Sequence, residues 1–353
     1  MPQKLVAFLS ILLLSFTSLN AQTEFGKYAG EFMAIGIGGR ALGMGGAFVA
    51  VANDVTSGYY NPAGLANLNY PQFALMHSEQ FGSLVNYDYA AVGIPFGTDM
   101  SFGLSAMRLG IDGIPDTRNA LEDGRNPGVQ IDDPNFISSQ YARLNYSRIT
   151  EFSNQDWAFY LTFAKRYSEN FYWGASIKII RRDIAEFGAT GIGFDLGGYY
   201  TPMENLHLGV NIQDITTTLV AWNTGLNELI SPTVKLGGAY VITGILGGYI
   251  MPALDFDVRF ENRQFASNFH VGPVSFDMHA GLEVNIENLV YIRGGYNDVK
   301  QFTVGAGVKL PKLNLDYSFA RFTASKIDRL PDSHRISLIL TLEEPRFLRS
   351  GAE

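Results

Sequence analysis

The chain of 353 residues contains no cysteine. That absence excludes disulfides, thiolate metal sites, a cysteine nucleophile and the thiol of a lipoprotein anchor together. Charge is scarce as well. Only 17% of residues are Asp, Glu, Lys or Arg, and a net charge of -8 argues against nucleic acid as a partner. Beyond the first residues there is no long hydrophobic run: Gly, Asn, Asp or Lys interrupts each apolar stretch within about ten positions, half of what a spanning helix needs. If such a chain spans a membrane, it does so as a closed barrel.

Histidines are few and scattered. His77, His207, His270, His279 and His334 form no i, i+4 pair and no HExxH spacing, so no metal is expected. Their neighbours two residues away place most of them in the lumen or in loops. No G-x-S-x-G elbow occurs, and no enzyme activity is expected. Gly36-Ile37-Gly38 with Ala41 matches a loose dinucleotide fingerprint, but no buried strand precedes it, so no cofactor is expected. Asp112, Asp116, Glu122, Asp123, Asp132 and Asp133 make residues 110–153 an acidic loop. It lacks the D-x-[DN]-x-[DN]-G order of a calcium loop. A solvated or partner-facing loop is the default, and a calcium site completed by carbonyls and water is the alternative.

What is present begins with a secretory leader. Lys4, the apolar stretch Leu5 to Leu14 and Ser18-Leu19-Asn20-Ala21 predict a signal peptide over 1–21, cleaved after Ala21. From about residue 73 onward, apolar and polar residues alternate with period two. Phe276, Met278, Ala280, Leu282 and Val284 interleave with Asp277, His279, Gly281, Glu283 and Asn285. Phe302, Val304 and Ala306 do so with Thr303, Gly305 and Gly307. Fourteen strands fit between 73 and 342. The long connections 110–153, 214–230, 261–273 and 323–332 all fall on one parity of hairpin, and short turns such as Phe96-Gly97-Thr98 occupy the other. Sorted loops, an even strand number and strands of about 9 to 14 residues predict an all-β, closed antiparallel transmembrane barrel. Trp157, Phe159, Phe171, Trp173, Tyr199, Tyr200, Phe319 and Phe322 fall near strand ends, where an interfacial aromatic girdle would lie. Asp255, Asp257, Arg259, Glu261, Asp277, Glu283, Arg293, Lys309 and Asp316 are expected to face the lumen and to pair there.

The stretch before the strands differs. Gly36 to Leu68 is rich in Gly and Ala and does not alternate, yet it carries Phe48, Val49, Val51, Tyr59, Tyr60 and Leu65. That is too much apolar surface to leave in water. The expected organisation is therefore a leader (1–21), an N-terminal plug in the lumen (22–69), the barrel (70–342) and a short tail (343–353).

The plug motif Asn61-Pro62-Ala63-Gly64-Leu65, preceded by Tyr59-Tyr60, resembles the N-terminal plug of the FadL-like outer-membrane superfamily. With Arg40-Ala41-Leu42-Gly43-Met44-Gly45-Gly46-Ala47-Phe48-Val49-Ala50, His77-Ser78-Glu79, Asn86-Tyr87-Asp88-Tyr89-Ala90-Ala91-Val92 and His334-Arg335-Ile336-Ser337-Leu338, the chain is similar to the PorV/PorQ family. That resemblance implies an outer-membrane location, contact with lipid and a part in type IX-like protein secretion or surface attachment, by docking cargo or secretion-system proteins. The alternative it leaves open is a FadL-like channel for hydrophobic small molecules. For docking, Leu219, Val220, Trp222 and Leu226 in the 214–230 loop are the candidate contact residues, since Trp is the residue most often central to a binding hot spot.

Overall fold

The computed structural model describes residues 30–120, 145–260, 267–322 and 332–351. The expected leader, residues 22–29 of the expected plug, Glu261, and Glu122, Asp123, Asp132 and Asp133 of the acidic loop lie outside the described residues.

Alternating stretches form the strands. In chain order these are β1 (Gln72–Gln80), β2 (Val85–Phe96), β3 (Met100–Asp116), β4 (Thr150–Arg166), β5 (Phe171–Ile184) and β6 (Phe187–Met203). Then come β7 (Leu206–Gln213), β8 (Thr218–Trp222), β9 (Asn227–Ile230), β10 (Thr233–Tyr240), β11 (Ile242–Ile245) and β12 (Gly248–Arg259). The described set ends with β13 (Phe269–Val271), β14 (Val274–Ile286), β15 (Val290–Tyr296), β16 (Gln301–Leu310), β17 (Leu313–Phe322) and β18 (Ser333–Thr341). Of these eighteen, β8, β9, β11 and β13 are short additions, and the other fourteen form one antiparallel wall. The wall closes because β1 pairs with both β2 and β18, the latter from Gln72 opposite Thr341 to Glu79 opposite His334. Closure leaves the wall no unpaired edge.

The pleat divides each strand between two environments. On β16, Phe302 and Val304 are 61% and 57% exposed, while Gln301 and Thr303, which alternate with them, are buried. On β1, Phe73 and Leu75 point outward, and Ala74, Met76 and Ser78 point inward. Outward Leu, Ile and Phe recur around the wall, a continuous apolar surface far beyond what a water-soluble monomer exposes. Its natural solvent is lipid.

One rim carries tight turns. Glu287 and Asn288 both have positive φ, and Leu289 N–H donates to Ile286 O, the arrangement of a type I′ hairpin turn. The other rim carries the long connections. The wall is also taller on one side, with 14 to 17 residues in each of β3 to β6 against 7 to 10 in each of β15 to β18.

Residues 30–68 precede the wall as short helices, Glu31–Ala34, Gly39–Gly43 and Ser57–Tyr60, and a 3-10 helix, Pro62–Asn67. Most of the segment is buried, and its partners lie on strands all around the wall. Gly39 N–H donates to Ser337 Oγ on β18 (2.8 Å), Thr303 Oγ1 on β16 to Gly43 O (3.0 Å), and Asn61 Nδ2 to Gly198 O on β6 (3.0 Å).

Five side chains depart from the sequence expectation. Tyr199 is buried inward and Phe322 lines an inner cavity, so neither joins an outer girdle. Adjacent Tyr199 and Tyr200 must take opposite faces, and so must Phe319 and Phe322, three residues apart. His77 and His334 point outward because they share parity with Leu75 and Ile336. Lys309 is exposed at the short-turn end of β16 instead of pairing in the lumen.

Candidate functional site

Inside the wall, charge is held in pairs that tie residues 30–68 in place. Glu283, fully buried on β14, accepts from Arg293 Nε on β15 (2.6 Å) and Arg40 Nε (2.9 Å), while Tyr249 Oη donates to its second oxygen (2.7 Å). Arg293 Nη1 donates in turn to Asp316 Oδ1 on β17 (2.6 Å). Two acids and two guanidiniums balance, so no net charge is left without a partner in low dielectric. On β12, Asp255 Oδ2 accepts two consecutive backbone amides, Phe48 N–H (2.6 Å) and Val49 N–H (2.8 Å).

The Asn61-Pro62-Ala63-Gly64-Leu65 motif has a physical reason at each end. Asn61 Oδ1 caps Ala63 N–H (3.2 Å), and its Nδ2 bridges Val49 O (2.9 Å) and the wall at Gly198 O. Pro62 opens the 3-10 helix where a missing N–H costs nothing. A Cβ on Gly64 would sit 2.2 Å from Ala52 O, and one on Gly197 of β6 would sit 2.3 Å from Asn61 Oδ1. Glycines on both sides therefore permit the contact. Nearby, Tyr60 Oη accepts from Ile37 N–H (3.0 Å) and donates to Ile37 O (2.7 Å). Burial pushes this phenol well above its usual pKa, so it remains a neutral donor.

Between this segment and the wall, at the long-loop end, lies a cavity of about 230 Å³. One side is apolar, with Ile35, Leu42, Tyr60 and Phe322. Another carries charge already matched: Lys235 Nζ lies 2.8 Å from Asp257, Arg259 3.8 Å from the same carboxylate, and His279 Nδ1 is bonded to Gly45 O (2.9 Å). The remaining side includes Gln80, Ser333 and Arg335. A larger hollow of about 580 Å³ lies on the outer face around Ala90 and Ala106, where lipid chains are the surroundings.

A model of an uncharacterised protein family (UPF0164) matches residues 14–108. No curated protein matches the chain. Solved structures do. The toluene transporter TbuX of Ralstonia pickettii superposes with a TM-score of 0.56 at 11% identity, covering 87% of this chain and 98% of that one. A FadL homologue of Pseudomonas aeruginosa gives 0.54 at 11% identity, with 86% and 97% covered. The toluene transporter TodX of Pseudomonas putida gives 0.55 at 12%, with 87% and 97% covered. The chain has the fold of the FadL-like outer-membrane barrels. At such identities the likeness carries the fold and assigns no residue a role.

The residues singled out for docking are divided by the structure. Leu219 lies opposite Ile192 on the outward face of β8, and Leu226 at the hairpin tip is 68% exposed. Val220 is fully buried inward, and Trp222, also inward, lies under Arg182, whose guanidinium covers its ring at 5.5 Å. Strand alternation over 219–222 separates them, so the four form no single patch. Of the acidic residues expected in the 110–153 loop, Asp112 and Asp116 lie instead on β3, Asp112 3.8 Å from Arg108 and Asp116 paired with Arg118. Sequence reading missed two inward arginines. Arg335 shares parity with Ser333 and Ser337, which alternation alone could have placed in the lumen. Arg349, in the tail, is buried and donates to Leu68 O (2.6 Å) and Met100 O (2.8 Å); no sequence pattern marks it.

Proposed function

We propose that this chain is an outer-membrane channel for hydrophobic small molecules, with residues 30–68 serving as its plug and gate. The observation behind this reading is the cavity at the long-loop end, whose floor is the buried segment itself, within a barrel whose structural neighbours include toluene transporters. A solute entering from the long-loop side meets Ile35, Leu42 and Tyr60, and passage requires the segment to shift. Arg40 and Asn61 tie the segment to the wall by polar contacts that would have to break for it to move.

The test exploits the absence of native cysteine. A Cβ on Gly58 would lie 3.7 Å from Thr162 Cβ on β4, within disulfide range. In the double variant Gly58→Cys, Thr162→Cys, neutral aromatic solutes should enter proteoliposomes faster after reduction than after oxidation. Equal rates in the two states would remove the gate, and no entry in either, nor in the unmodified protein, would remove the channel.

Docking of secreted or surface-attached proteins, as the PorV/PorQ resemblance implies, is the second reading. Exposure of Leu219 and Leu226 at the long-loop rim supports it. Co-purification of a partner from gently solubilised membranes, lost on Leu226→Ser, would favour it over transport.

A further inference from the structure

Arg335 on β18 is buried, 5% exposed, and lines the inner cavity. No described residue bonds or pairs with its side chain, and its Nε is without a partner. Every other cation around the cavity has an acid: Lys235 and Arg259 share Asp257, and His279 faces the same carboxylate. The cross-strand neighbours of Arg335 are Ser78 on β1 and Ser318 on β17. Both hydroxyls are buried and unpartnered, and so is Gln80 Nε2, two residues beyond Ser78. Of these groups Arg335 and Gln80 line the cavity, so two adjacent strands present it with a cation and an amide that nothing in the protein receives. Buried donors left unmet are costly, and an unpaired buried cation more so.

The missing partner is an acceptor with negative charge. Its body has limits too: the cavity, about 230 Å³, is smaller than the about 300–1,000 Å³ of sites for drug-sized ligands, and its apolar side offers the rings of Tyr60 and Phe322. We propose that Arg335 and Gln80 form a subsite for the acidic group of a small aromatic or short-chain carboxylic acid, whose apolar body lies against Tyr60 and Phe322. Resting on the channel reading, this narrows the solute from any hydrophobic molecule to one bearing a single carboxylate. Arg suits the task because its planar fork meets a carboxylate in two places.

The experiment compares benzoate with benzamide, its uncharged isostere, for binding to the detergent-solubilised full chain and entry into proteoliposomes. The native protein should bind benzoate at least tenfold more tightly than benzamide. Arg335→Gln should abolish that preference, and Arg335→Lys should restore part of it. A native protein without the preference, or one whose preference survives Arg335→Gln, overturns the subsite. So does displacement of benzoate by inorganic phosphate at equal concentration, which would make this a general anion site. Should Arg335→Gln fail to assemble, Gln80→Ala carries the test. It should lower the benzoate preference about threefold, and no change overturns the subsite. Entry of benzamide judges the channel separately: if it enters while no benzoate preference exists, the channel stands without the subsite.

Discussion

The two faces of the wall are built from the same strands yet obey different rules. Outside, at Leu282, Phe302 or Val304, a side chain needs only to be apolar, because lipid fills whatever shape it leaves. Inside, at Glu283, Asp255 or Gly197, each residue answers a particular atom of residues 30–68. A fluid solvent tolerates change of shape and punishes change of polarity. A packed polar interior punishes both.

Glu283→Ala should expose the difference most. Alternation alone makes it a mild inward control for Leu282→Arg, but the carboxylate bonds Arg40, Arg293 and Tyr249, and its loss leaves the two guanidiniums only Asp54 and Asp316 as acids. A cost of about 3–5 kcal/mol is expected in urea unfolding of the detergent-solubilised barrel. Leu282→Arg should cost about 2–4 kcal/mol, as an arginine does at the bilayer midplane. If Glu283→Ala proves the milder of the two, the inner network is not what holds the segment. Third comes Gly197→Val, which forces atoms onto Asn61 Oδ1; about 1–3 kcal/mol is expected, with faster solute entry as the plug loosens. An outward Gly198→Val should leave entry unaltered, and equal entry in both variants would break the comparison.

The smallest effects belong to the rims. Phe96→Arg, outward at a short turn, should cost about 0–1 kcal/mol, since an arginine there reaches the headgroups. Trp222→Ala should cost about 0.5–1 kcal/mol through its contact with Arg182, in the same unfolding measurement. If Trp222→Ala instead leaves stability intact and abolishes capture of a protein partner, the long-loop rim is a docking surface and the secretion reading gains.

Much of the fold was legible because the signal is local. A two-residue period needs no knowledge of what lies across the barrel, and the alternation from Phe276 to Asn285 falls wholly within β14, Val274–Ile286. Loop parity gave the even strand number by the same means. Errors arose where a residue type was read without its parity. As an aromatic near a strand end Tyr199 suits a girdle, yet its neighbour Tyr200 holds the outer position and Tyr199 turns inward. The site was less legible, since Gln80 and Arg335 come from the first and last strands and lie more than 250 residues apart in the chain.

By itself the amino-acid sequence determined an all-β barrel with an apolar outside, a polar inside and an apolar segment seeking cover. Side-chain alternation and the shortage of charge suffice for that, because each acts within a few residues. Only the tertiary structure decided that Glu283 joins Arg40 to Arg293, that Gly197 makes room for Asn61, that Trp222 turns inward and that Arg335 faces a cavity unpaired. Those outcomes depend on which strands become neighbours when the wall closes, and on where residues 30–68 come to rest inside it. No local pattern carries that information.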